Sequence, residues 1–197
     1  MRISRGEGLG LLYPILWLVV RTLCSLAFRL RVEGLENVPS EGAALISPNH
    51  RSAIDPPLMS VLLPRPLYHM AKAELFPKIG WLISRLGAFP VQRGSGDLRA
   101  MRKSLRLLRE GRLICVFPEG TRSRTAEMGP VRPGASYLAY HTGAPVIPVG
   151  ISGTYGFRRP VTVRFGKPLE LRGTEEDGPM LMEAIRTLVE TQPGERI

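Results

Sequence analysis

From residue 43 onward, short apolar runs alternate with segments in which apolar residues recur every three or four positions. The runs read as buried strands at 43–47, 67–71, 89–92, 113–117 and 146–150, and the alternating stretch 161–165 as a further strand. The periodic segments predict helices at 58–63, 75–86, 98–110, 135–142 and 180–190. In the second of these helices Trp81 and Leu82 are expected to face the core. In the third, Leu98, Met101, Leu105 and Leu108 form one apolar stripe opposite Arg99, Arg102, Lys103, Arg106 and Arg109. In the last, Leu181, Ile185 and Leu188 point inward. Strands and helices alternate without an internal repeat, which predicts one α/β domain with a central sheet covered by helices.

The N-terminal stretch has a different pattern. Residues 8–20 are uncharged and mostly apolar, Arg21 interrupts, and 22–28 is again uncharged. A membrane span needs about 20 apolar residues, a length reached only by including Arg21. The preferred reading is a helix kinked near Pro14 that lies in or dips into one leaflet, with Tyr13 and Trp17 at the interface; a spanning helix, and a segment packed onto the domain core or cleaved, are the alternatives. Arg2 and Arg5 precede the run as in a signal peptide, but no small-residue cleavage site follows.

Composition narrows the partners. The chain has 197 residues, 44% hydrophobic and 22% charged, with 27 basic against 17 acidic residues and a net charge of +10. That balance implies an anionic partner: a membrane, a phosphorylated substrate or nucleic acid. No zinc spacing or aromatic-rich basic patch supports nucleic acid, so none is expected, and no metal. Cys24 and Cys115 both lie in apolar runs and read as small buried hydrophobes. The face of basic residues over 98–110 reads as solvated charge or as a contact with anionic headgroups or a donor.

Two loops carry the candidate chemistry. Asn49-His50-Arg51-Ser52-Ala53-Ile54-Asp55-Pro56 follows the strand at 43–47 and opens a helix. Pro56 suits the first helical turn, and Asp55 or Ser52 is expected to cap it. Asp55 is close enough to fold back onto His50, fix its tautomer and leave the other ring nitrogen as a base. Phe117-Pro118-Glu119-Gly120-Thr121-Arg122-Ser123 follows the strand at 113–117 and offers a carboxylate, a flexible glycine, hydroxyls and a guanidinium suited to phosphate. Ligands in such sheets bind beyond the carboxyl ends of strands, so one cleft is expected to hold both loops. The Gly-x-Ser-x-Gly signature of a nucleophile elbow is missing, which argues against that class of hydrolase.

These two loops resemble the glycerolipid acyltransferase family, most closely its 1-acylglycerol-3-phosphate acyltransferases. Gly87-Ala88-Phe89-Pro90-Val91-Gln92-Arg93 is similar to the family's second block, and Val146-Ile147-Pro148-Val149 to its fourth. Lys72-Ala73-Glu74-Leu75 resembles a lysine-containing segment between the first two blocks. The resemblance covers about residues 32 to 166 and implies the glycerolphosphate-acyltransferase fold. The expected organisation is a membrane-associated helical segment over 1–30 and an acyltransferase domain over 31–197.

The resemblance implies transfer of a fatty acyl group from acyl-CoA or acyl carrier protein to the free hydroxyl of 1-acylglycerol-3-phosphate, giving phosphatidic acid. The thioester is a co-substrate, and no cofactor is implied. His50 would act as base with Asp55 orienting it. Arg93 and Arg122 would hold the acceptor phosphate, Gly120 and Thr121 would shape the loop, and Glu119 would orient the arginines or a glycerol hydroxyl. Backbone N–H groups at the start of the 56–63 helix are expected to stabilise the oxyanion. The enzyme is expected at an anionic membrane with its site on the cytoplasmic side. Other readings are acylation of another lysolipid or an aminolipid, a non-catalytic membrane-associated protein, or a nucleic-acid-binding module.

Overall fold

A computed structural model describes residues 12–92, 96–122 and 129–191. In chain order the elements are α1 (Tyr13–Ala27), β1 (Phe28–Glu33), β2 (Ala44–Pro48), α2 (Asp55–Leu62), β3 (Leu67–Lys72), α3 (Phe76–Arg85) and β4 (Ala88–Val91). They continue with α4 (Leu98–Arg109), β5 (Leu113–Cys115), α5 (Gly134–Thr142), β6 (Val146–Gly153), β7 (Arg159–Phe165) and α6 (Asp177–Glu190).

β2 is buried at every position, as a strand covered on both faces must be. It pairs in parallel with β5 on one side and β6 on the other. β3 and β4 extend the parallel set beyond β5, and β7 turns back antiparallel to β6. β1 closes the other edge beside β7, giving the order β1-β7-β6-β2-β5-β3-β4. The architecture is thus the expected mixed α/β sheet flanked by helices. After β5 the chain crosses to the far side of β2, and such a reversal opens a crevice at the strand ends.

Packing departs from the periodic reading in two helices and one strand. Trp81 of α3 is 63% exposed, and the buried position of that helix is Gly80. α3 covers the β4 edge, so little sheet is available to bury a second side of it. In α4, Leu98 is 66% exposed and the inward positions are Ala100, Ser104, Leu107 and Leu108, with Met101 and Leu105 on their flank. Small residues at 100 and 104 let α4 lie close, and Asp97 caps it by accepting from the N–H groups of Arg99 and Ala100. In β7, the polar positions of the alternation, Thr162 and Arg164, are buried as well. Arg164 is 1% exposed; it donates to Glu33 at 2.7 Å and to the Leu188 carbonyl of α6 at 3.2 Å. α6 approaches β6 so closely that a Cβ on Gly150 would lie 2.6 Å from the backbone of Leu188.

α1 is built differently from the expectation. Pro14 sits in the first helical turn rather than at a kink, where its missing N–H costs nothing. Tyr13 and Trp17 are buried, not at a surface, and with Cys24 they join the single hydrophobic core as α1 packs on α2. The boundary expected at residue 30 falls inside β1, which continues α1 without a linker. The other side of α1 exposes Ile15, Leu18, Val19, Leu23 and Leu26. No helix among the described residues is long and apolar enough to cross a membrane.

Candidate active site

The loop after β2 is held from both sides before any chemistry begins. The Asn49 side chain donates to the Ile151 carbonyl at 3.1 Å and accepts from the Ile151 N–H at 2.7 Å, extending the pairing of β2 with β6. Arg51 Nη1 donates to the Gly153 carbonyl at 2.8 Å. On the other side Ser47 Oγ donates to the Val116 carbonyl, and Glu119 Oε1 accepts from the His50 N–H at 3.0 Å. His50 is therefore fixed by its neighbours in sequence and by β6 and the loop after β5.

His50 is 5% and Asp55 0% exposed. His50 Nδ1 lies 2.9 Å from Asp55 Oδ2, and the imidazole stacks on Phe117 with ring centroids 4.0 Å apart. Nε2 makes no hydrogen bond among the described residues. Carboxylate and imidazole thus share one ring nitrogen, and the second nitrogen is left for a proton from a ligand. Asp55 does not cap α2 as expected. Its Oδ2 also accepts from the Arg51 and Ser52 N–H groups, both at 2.7 Å, while Ser52 Oγ accepts from Ile54.

That turn leaves little for an oxyanion. The Arg51 and Ser52 N–H groups go to Asp55, that of Ile54 to Ser52 Oγ, that of Asp55 to the Ser52 carbonyl and that of Leu58 to Ile54. Pro56 and Pro57 have none. Apart from the Ala53 N–H, the oxyanion donors expected around the start of α2 are already occupied or absent.

The loop after β5 carries Glu119, Gly120, Thr121 and Arg122. Glu119 is 2% exposed, and its second oxygen accepts from the Gly129 N–H at 3.0 Å. Its carboxylate ties three backbone segments together. Gly120 has φ +67°, and a Cβ there would lie 2.4 Å from Arg132 Cδ. The Arg132 side chain crosses this glycine and lines a cleft of about 600 Å³ with Thr121, Gly120, Phe117 and Lys72. Arg122 is exposed at the end of the loop. Arg93 lies outside the described residues. No metal-binding cluster exists among the described residues.

Two neighbours of the site carried no signal in the sequence. Arg132 stands in a Pro-rich turn with no motif. Tyr155, between β6 and β7, donates to Asp55 Oδ1 at 2.5 Å. Its pairing spans a hundred residues, and no local spacing points to it.

A family profile for acyltransferases matches residues 29–152. The 1-acyl-sn-glycerol-3-phosphate acyltransferase of Bacillus subtilis is 32% identical over 137 residues, which cover 68% of each chain. The chloroplastic 1-acyl-sn-glycerol-3-phosphate acyltransferase BAT2 of Brassica napus is 32% identical over 133 residues, 64% of this chain but 38% of its own. The chain thus spans little more than a third of that plant relative. The crystal structure of the 1-acyl-sn-glycerophosphate (LPA) acyltransferase PlsC from Thermotoga maritima matches with a TM-score of 0.75 at 26% identity, covering 99% of this chain and 85% of that one. The matched profile contains β2, β5 and β6 and both loops that bring His50, Asp55 and Glu119 together, so fold, site and sequence agree that the chain belongs to the Acyltransferase family.

Proposed function

We propose that this protein transfers a fatty acyl group from a thioester donor to the free hydroxyl of 1-acylglycerol-3-phosphate, forming phosphatidic acid. The observation that carries the reading is the buried His50–Asp55 pair, with no hydrogen bond to His50 Nε2 found among the described residues and the imidazole stacked on Phe117, a wall of the cleft. The acceptor hydroxyl gives its proton to Nε2 as its oxygen bonds to the thioester carbonyl carbon. The tetrahedral adduct then breaks its C–S bond, and the departing sulfur takes the proton from the imidazolium. Asp55 holds the ring and stabilises its charged form throughout. No covalent acyl-enzyme forms, and no cofactor is consumed.

Cationic side chains near the cleft suit a phosphate. Arg132 and Lys72 line it with Thr121 as a hydroxyl donor, Arg122 follows Thr121 in the loop, and Gly120 leaves room for the Arg132 side chain to cross the loop. Arg93 is assigned the same task on the family resemblance. The donor is acyl-CoA or acyl carrier protein, both cytosolic, so the reading puts the site on the cytoplasmic face of a membrane. The exposed apolar face of α1 is read as lying in the outer part of one leaflet, with basic residues supplying an attraction to anionic lipid.

The test is a reconstituted assay with purified protein, anionic vesicles, one labelled acyl-CoA and a panel of lysolipids, read by lipid mass spectrometry. Phosphatidic acid should be the main product. A stronger rate with a phosphate-free acceptor would overturn the acceptor assignment. In Arg122→Ala the KM for lysophosphatidic acid should rise more than that for the donor; a change confined to the donor would remove Arg122 from the phosphate site.

A further inference from the structure

The two oxygens of Asp55 have unequal surroundings. Oδ2 receives His50 Nδ1 and the N–H groups of Arg51 and Ser52, all at 2.9 Å or less. Oδ1 receives the hydroxyl of Tyr155, and no other hydrogen bond to it is found among the described residues. Tyr155 comes from the turn between β6 and β7, just beyond the segment that the family profile matches. Its ring is packed edge-on against Phe28, the first residue of β1, with centroids 5.4 Å apart and planes at 72°. The same turn is stapled to the end of α1, where the Arg158 N–H donates to the Ala27 carbonyl at 2.6 Å. Burial, and then the charge of Asp55, push the phenol pKa well above its ordinary value, so the hydroxyl keeps its proton and remains a donor.

We infer that Tyr155 is a positioning residue of the site: by holding Asp55 Oδ1 it fixes the rotation of the carboxylate and keeps Oδ2 on His50, and the junction of α1 with β1 holds Tyr155 in place. A carboxylate turns easily about its last torsion, which is broad and roughly two-fold. Pinning both oxygens removes that freedom. Without the Tyr155 hydroxyl a fully buried oxygen loses its partner, and the group gains by rotating toward whatever donor remains. The helix that faces lipid in the proposed function then also supports the chemistry, through Ala27 and Phe28.

The inference rests on the acyl-transfer reading, and the experiment separates the two. Tyr155→Phe keeps the ring against Phe28 and removes only the hydroxyl. Its kcat should fall about ten- to a hundred-fold, the range of a hydrogen bond to a charged group, with KM for both substrates and the melting temperature nearly unchanged. In an Asp55→Asn background the same substitution should cost less than about two-fold, because the oxygen it positions no longer serves His50. Phe28→Leu should lower kcat in the same direction by a smaller factor. A Tyr155→Phe enzyme with kcat within two-fold of wild type, or an equal loss in the Asp55→Asn background, overturns the inference and leaves the acyl-transfer reading intact. A wild-type protein without turnover sinks that reading. The inference is then decided by nitrogen-labelled histidine: the Nδ1 proton signal of His50 should move or broaden in Tyr155→Phe, and an unchanged signal overturns it.

Discussion

His50 and Asp55 are close because five residues of chain fold one turn, yet their use depends on what surrounds them. His50→Ala should lose about 10²–10⁴-fold in turnover while remaining folded, as expected for loss of a general base. A folded His50→Ala protein with near-wild-type turnover would remove His50 from the mechanism. Asp55→Asn should be severely impaired too, because an amide offers a donor where the imidazole needs an acceptor. His69 contrasts with His50. It sits on β3 opposite Cys115 and Ala88, with Nδ1 unpartnered, and burial lowers its pKa to about 4, against an ordinary 6.5. A base whose pKa is depressed by folding favours the unfolded chain once it must take a proton. Its contribution is therefore fully present above pH 6.5 and is lost as pH falls toward 4, by on the order of 3 kcal/mol at about 1.36 kcal/mol per pKa unit. Urea titrations across that range should show the fall in wild type and a smaller one in His69→Gln; equal slopes would mean that His69 is charged in the native state.

Among the elements, α1 carries two faces with separate consequences. Tyr13, Trp17 and Cys24 pack into the core, so removing the helix exposes apolar surface of the domain as well as any lipid contact. The outward residues allow a cleaner test. Leu18→Glu with Leu26→Glu changes two exposed side chains and should leave the melting temperature nearly unchanged. Each large apolar side chain withdrawn from lipid forfeits about 1.5–3 kcal/mol, so vesicle binding should weaken at least a hundred-fold. Full-length protein should stay on vesicles in high salt, since burial of apolar surface is not screened as surface charge is. Release of wild type by salt alone, or unaltered sedimentation of the double variant with vesicles, would refute the interfacial reading of α1. The element patterns also show where periodicity misleads. Leu98 and Trp81 sit at plausible apolar positions, but the neighbours available to α4 and α3 favour burying Ala100, Ser104 and Gly80 instead.

Across the whole molecule, Glu119 joins the parts of the site. One oxygen holds the His50 N–H and the other the Gly129 N–H, so the loops after β2 and β5 and the chain returning toward α5 share one carboxylate. Glu119→Gln replaces an acceptor by an amide NH₂ facing a backbone donor. Turnover should drop about ten-fold or more with a loss of stability of about 1–3 kcal/mol, the cost of an unsatisfied buried group. Kinetics paired with urea unfolding check this, and full activity at full stability would show that the loops hold themselves. Arg164 is the corresponding feature at the far flank: a buried guanidinium that links β7 to Glu33 of β1 and to α6.

The local pattern was sufficient for the alternation of strands and helices, for the buried runs at the centre of the sheet and for the pair His50–Asp55. Each is a property of residues within a few positions of one another, where spacing and side-chain chemistry act directly. The resemblance in the two loops added the family. β1 escaped notice because its apolar start continues the N-terminal run. Other features depend on which strands become neighbours. Sheet order puts β6 beside β2, and with it Ile151 against Asn49 and Tyr155 against Asp55, across about a hundred residues. The same order buries Arg164 under α6 and directs Glu119 to the backbone of His50. The chain segments between these partners are long enough for many closures, so the pairings were decided by packing of the whole domain rather than by sequence separation.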